Sequence, residues 1–308
     1  MKKDITIATR GSKLALWQAE FIKDKLERYH KGLSCRLEII KTTGDKILDV
    51  PLAKIGGKGL FVKEIEQALF EKKADLAVHS MKHVPMDLPD GLELYASPKA
   101  ETPNDAFLSV NYGGIDELPI GARVGTSSLR RKLQLLELRP DLKVSDLRGN
   151  VQTRIQKLED GVYDAIILAE AGLVRLGLTD MIKEVISADR MLPASCQGIL
   201  GVEVRSGDTE IKEILFFLKD RNAETRALCE RAFLRKLQGG CQAPIGCHSV
   251  IKGDELSAKG IIYSLDGSKK IAKEITGNIN EPELTGEKLA TMVLDDGGED
   301  ILKEIYEN

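Results

Sequence analysis

Several stretches of this 308-residue chain put hydroxyl and guanidinium groups where a strand should give way to a helix. GTSSLRR (125–131) supplies Thr126, Ser128, Arg130 and Arg131 at such a junction. Backbone N–H groups at a helix start bind anions, helped by the positive end of the helix dipole. Arg148 in DLRGN and Arg154 in the helix that follows add guanidiniums from the same end of the expected sheet. Arginine grips a carboxylate through a rigid fork, so several converging arginines suit a ligand with many carboxylates. ATRGSKLAL (8–16) repeats the design with Arg10 and Ser12, and two such junctions favour an anion cleft over a solvated helix face. ADLAVHSMKHVP (74–85) ends a strand in Ser80, Lys82 and His83, and ligands of open α/β sheets sit just past the carboxyl ends of strands. His79 alternates with Ser80 and reads as structural.

KIGGKGLFVKEIE (54–66) fails the phosphate-loop pattern, since Gly59 follows Lys58, and ATP hydrolysis is disfavoured. A lid over the cleft fits better, with Phe61 to stack on a flat ring. GGCQAPIG (239–246) holds Cys241 in a Gly- and Pro-flanked loop, which allows a small buried hydrophobe or a reactive thiol. Cys35, Cys229 and Cys247 sit in apolar patterns and read as structural, and with no C-x-x-C pair no metal site is expected.

The elements that must position these groups alternate. Runs at 4–9, 36–42, 74–78, 122–126, 164–169 and 199–204 read as strands. Ser12 should cap a helix with Leu14, Trp17, Phe21, Ile22, Leu26 and Tyr29 on one stripe, Trp17 in the core. Segments 61–73, 127–138 and 209–219 also read as helices. Such alternation predicts parallel α/β layers. Polar breaks at 99–105 and 191–198 divide the chain into residues 1–98 plus 199–219, residues 104–193, and residues 221–308. In the last, a helix (223–237) precedes short runs at 246–252, 256–263 and 269–276 separated by turns, an antiparallel meander that the 283–306 helical tail could cover.

Composition bounds the class. Hydrophobic residues make up 42% and charged residues 30%, which suits a soluble globular chain with a sizeable core. Neither a signal peptide nor a membrane span is expected, nor a disulfide framework from five cysteines, so a cytoplasmic chain is expected; it is separately expected to act as a monomer. The net charge of −3 hides nine Lys/Arg against three acids in residues 121–157. Nucleic-acid binding would want interleaved aromatics, and that window has no Phe, Tyr or Trp.

Taken together, ATRGSKLALWQA, KTTGDKILDVPLAKIGGKGLFVKEIE, ADLAVHSMK, GTSSLRRKLQL, LRGNVQTR, EAGLVRLG and GGCQAPIG, in this order, resemble the hydroxymethylbilane synthase (porphobilinogen deaminase) family. The resemblance implies two hinged, periplasmic-binding-protein-like α/β domains flanking a cleft, plus a small α+β domain. It implies a transferase of haem biosynthesis that joins four porphobilinogen molecules head to tail into hydroxymethylbilane, releasing ammonia at each step. The primer is a dipyrromethane cofactor in thioether linkage, here to Cys241. By motif, Arg10, Ser12, Arg148, Arg154 and Arg175 resemble groups that hold substrate, with Phe61 and Gln197 lining its site. Ser80, Lys82, Thr126, Ser128, Arg130 and Arg131 resemble those that hold cofactor carboxylates, and Asp45 lies near by analogy.

The chain departs from the family pattern at position 83. The motif H-S-x-K-D-x-P carries a catalytic Asp where this sequence has His83. Imidazole brings no negative charge to a cationic reaction centre, so turnover is expected to be strongly impaired. Cys196 also stands where the family pattern has Gly. The rival expectation is a non-catalytic two-lobed binding protein for a small polycarboxylate.

Overall fold

The computed structural model describes residues 2–46, 62–240 and 243–307, without the side chains of 45, 46 and 307. Two compact units emerge, Met1–Glu101 with Ile199–Glu224, and Thr102–Gly198 with Thr225–Asn308. No described helix is long and apolar enough to cross a membrane.

The first unit is built on a five-stranded sheet: β1 (Asp4–Thr9), β2 (Ser34–Ile39), β3 (Leu76–Ser80), β4 (Leu92–Ala96) and β10 (Leu200–Arg205), in the order β2-β1-β3-β10-β4. β1 runs parallel to β2 and β3, whereas β10 runs antiparallel to β3 and β4. Helices cover both faces, which is why β1, β3 and β10 are buried almost throughout, whereas the edge strand β2 is largely exposed. Ile5, Ile7, Val78 and Val202 pack on Ala19, Ile22 and Leu26 of helix Lys13–Tyr29 and on Ile211 and Ile214 of helix Thr209–Leu215. Ala8 and Ala77 pack on Ile65 and Leu69 of helix Lys63–Phe70. Trp17 is only half-buried, contrary to its expected core position, and stacks on Phe21 with centroids 5.2 Å apart.

The second unit holds two sheets. In one, β5 (Asp105–Leu108), β6 (Arg123–Gly125), β7 (Lys143–Ser145), β8 (Ala165–Ala169) and β9 (Glu184–Ile186) follow the order β7-β6-β8-β5-β9. β6 is parallel to β7 and β8, and β5 is antiparallel to β8 and β9. Both five-stranded sheets are therefore mixed, not wholly parallel as the alternation predicts. The other sheet is the expected antiparallel meander, β11 (Ile245–Lys252), β12 (Glu255–Tyr263) and β13 (Lys270–Asn278). Helix Pro282–Val293 lies on β12 and β13. It also approaches helix Arg221–Lys236 closely at Gly286, where a Cβ would come within 2.1 Å of the Cys229 carbonyl oxygen.

Candidate active site

In the second unit, β6, β7 and β8 are parallel, so their carboxyl ends share one edge of the sheet. After β6, Ser128 caps helix Leu129–Leu138 by accepting the Arg131 amide at 3.4 Å. The buried Thr126 hydroxyl accepts the Ser128 amide at 3.3 Å. After β7, Gly149 takes φ +110°, which only glycine adopts readily, and turns the chain from Arg148 into helix Val151–Glu159, capped by Asn150. That helix carries Arg154. After β8, helix Glu170–Arg175 ends in the buried Arg175, whose Nη2 donates to the Gly198 carbonyl at 2.6 Å.

A buried carboxylate organises this edge. β5 runs against β8, and its first residue, Asp105, sits opposite Ala169, the last residue of β8. Asp105 Oδ1 accepts from Arg131 Nε at 3.0 Å and Nη2 at 2.7 Å, and from Gln197 Nε2 at 2.9 Å. Its Oδ2 accepts from Arg130 Nη1 at 2.8 Å. Burial alone would raise the Asp105 pKa, but the two guanidiniums hold it far below the usual carboxylate range. Gln197 also donates to the carbonyls of Pro103 and Asn104.

The excess of cations in residues 121–157 is thus partly balanced from outside that window, by Asp105 and by Asp164, which pairs with Arg123. Arg139 pairs with Asp141, and Arg148 with Asp146 at 3.4 Å. Arg154 differs. Its Nε donates to the Gly149 carbonyl at 2.8 Å, and no carboxylate pairs with it among the described residues. Burial, then the like charges of Arg131 and Arg148, push its pKa down to about 10. Unneutralised positive charge therefore collects at this edge.

In the first unit, β1 delivers the half-buried Arg10, and Ser12 caps helix Lys13–Tyr29 by accepting the Ala15 amide at 3.3 Å. β3 ends at Ser80, whose Oγ accepts from the buried Gln18 at 2.9 Å. A short turn, Met81–His83, then presents a half-buried Lys82 and an exposed His83. His79 is buried, as its structural reading requires, with Nε2 2.7 Å from Glu203 Oε2 on β10. Glu66, on helix Lys63–Phe70, is buried near this pair, and burial first, then Glu203, raises its pKa. Phe61, Cys241 and the Asp45 side chain lie outside the described residues.

Cys35, Cys229 and Cys247 are buried, and burial pushes the thiols of Cys35 and Cys229 up to about 12 and that of Cys247 well above its ordinary value. Such thiols stay protonated and unreactive. Cys196 is buried too and adopts φ +60°, the left-handed region, with its amide donating to the buried Glu230. Sequence reasoning missed Asp105, Glu230 and the Glu66–Glu203 neighbourhood. The only signal was an isolated acid, at the start of an apolar run for Asp105 and within one for Glu203.

Residues 5–213 match the family profile described as "Porphobilinogen deaminase, dipyromethane cofactor binding domain", and residues 224–295 match "Porphobilinogen deaminase, C-terminal domain". The porphobilinogen deaminases of Nitratidesulfovibrio vulgaris strains DP4 and Hildenborough are each 54% identical over 306 residues, 99% of this chain and 97% of the relative. Among solved structures, the methionine-binding protein MetQ aligns at 13% identity and a TM-score of 0.46, covering 73% of this chain and 94% of that one. On the two profile matches and the near-full-length identity, the chain belongs to the porphobilinogen deaminase (hydroxymethylbilane synthase) family of transferases.

Proposed function

We propose that this chain carries out the family reaction, deaminating porphobilinogen and joining four molecules into hydroxymethylbilane, with turnover slowed by His83. The observation that supports it most is Arg154, which faces the like charges of Arg131 and Arg148 without a carboxylate partner among the described residues. Porphobilinogen and dipyrromethane carry acetate and propionate arms, and this donor set fits them.

In this reading Cys241 anchors the dipyrromethane, and the separate sheet of residues 221–308 serves as its carrier domain. When bound, the cofactor supplies the nucleophilic pyrrole carbon to which units are added. Ser80, Lys82, Thr126, Ser128, Arg130 and Arg131 hold its acid arms, with Asp45 near its pyrroles. Arg10, Ser12, Arg148, Arg154 and Arg175 orient the incoming porphobilinogen, and Phe61 and Gln197 bound its ring. The protein acts as a cytoplasmic monomer without nucleic acid. Pairing of Arg123 with Asp164 and of Arg139 with Asp141 supports that last point, since those cations are already compensated.

Loss of the aminomethyl nitrogen leaves positive charge on the substrate ring, which an aspartate at position 83 would offset. Neutral imidazole accepts one hydrogen bond without negative charge, and imidazolium adds to the cation. Losing one preorganised electrostatic contact costs about 10²–10³ in rate. His83→Asp should accordingly raise the steady-state rate of bilane formation at least ~100-fold. Equal rates for the two proteins would remove His83 from the chemistry.

A further inference from the structure

We propose that Asp105 is a positioning residue for the family reaction, an internal carboxylate that holds Arg130, Arg131 and Gln197 in register for an acidic ligand. The proposal rests on the reading of Arg130 and Arg131 as ligand-carboxylate groups.

Asp105 is fully buried, and so in effect are its partners, at 3% exposure for Arg130, 6% for Arg131 and 1% for Gln197. Arg131 turns the edge of its fork, Nε and Nη2, onto Asp105, and its Nη1 donates to the Ile167 carbonyl at 3.0 Å. Arg130 divides Nη1 between Asp105 and the Leu192 carbonyl, while its buried Nε has no partner among the described residues. Two guanidiniums thus share one carboxylate out of water, and one positive charge remains for a ligand. Gln197 joins the same oxygen as Arg131, so one anion fixes side chains from helix Leu129–Leu138 and from the 191–198 segment. Asp105 makes contacts of the kind a ligand carboxylate makes with arginine. It keeps the pair ordered in the absence of ligand and halves its charge.

Removing that charge should convert the arginine pair into a trap for small anions, because buried cations left without a partner recruit one. The test compares the unsubstituted protein, Asp105→Asn, and Asp105→Asn combined with Gln197→Glu, which restores a carboxylate beside the same nitrogens. Thermal unfolding is followed against inorganic sulfate, and the fraction of chains bearing the dipyrromethane adduct is read by intact-mass spectrometry. Asp105→Asn should reach half-maximal stabilisation at least tenfold lower in sulfate and show at least a tenfold smaller adduct fraction, and the double variant should recover both. If Asp105→Asn does not fold, a folded and loaded double variant supports the proposal, and a folded but unloaded one overturns it. An Asp105→Asn protein that loads normally and responds to sulfate like the unsubstituted chain also overturns it. An unsubstituted chain with no adduct would instead count against the function proposed above.

Discussion

Arg131 closes on Asp105 with two nitrogens, Nε at 3.0 Å and Nη2 at 2.7 Å, both on the one oxygen Oδ1. The carboxyl is held below its ordinary range in the folded chain, so its contribution to stability is complete above its unfolded pKa of about 4. That contribution fades as pH falls toward the folded value. At pH 7, Asp105→Asn should cost about 3–5 kcal/mol, because a buried pair loses one partner. Urea unfolding at pH 7 and below pH ~4 measures it, and the gap between the two proteins should narrow in acid. A gap independent of pH would show that the fold does not depress the Asp105 carboxyl, contradicting its engagement by the two guanidiniums.

Glu66 predicts the opposite slope. Burial and the neighbouring Glu203 raise its folded pKa, while His79 lowers it by less. The folded chain therefore binds the proton more tightly than the unfolded one, and stability falls as pH rises from about 4 through the raised value. Glu66→Gln should gain in Tm relative to the unsubstituted protein as pH rises from 4 to 8. A Tm difference that stays flat over that range would mean Glu66 is solvated like a surface carboxylate.

Cys196 carries a side chain at φ +60°, where L-residues cost about 1–2 kcal/mol relative to glycine. Cys196→Ala keeps that cost and loses the sulfur, whereas Cys196→Gly loses the sulfur and relieves the backbone. The glycine variant should be the more stable by about 1 kcal/mol. Chemical denaturation of the pair decides it, and an alanine variant equal to or above the glycine variant contradicts the strain.

What could be read in the sequence was local. Ser12 and Ser128 were readable as caps because a hydroxyl before an apolar stripe has one common use, and both accept the amide three residues on. The meander was legible from its turns, and the 199–204 run from its apolar character, broken only by Glu203. Strands β5, β7 and β9, of three or four residues, carry too few positions for a period to show. The mixed sheets follow from chain direction at β5 and β10, which no residue type encodes. Asp105 meets its arginines only because β5 runs against β8, so the carboxylate at the centre of the arginine edge could not be found from spacing. The motif arginines, by contrast, were found, but not which of them an internal acid had already engaged.

The attachment of an acidic pyrrole group to Cys241 underlies every role proposed here, and intact-mass spectrometry of the purified protein tests it most directly. The chain should be heavier than its sequence by two porphobilinogen units less two ammonias, and Cys241→Ala should lose that increment. A bare mass, or an increment that survives Cys241→Ala, would contradict the assignment.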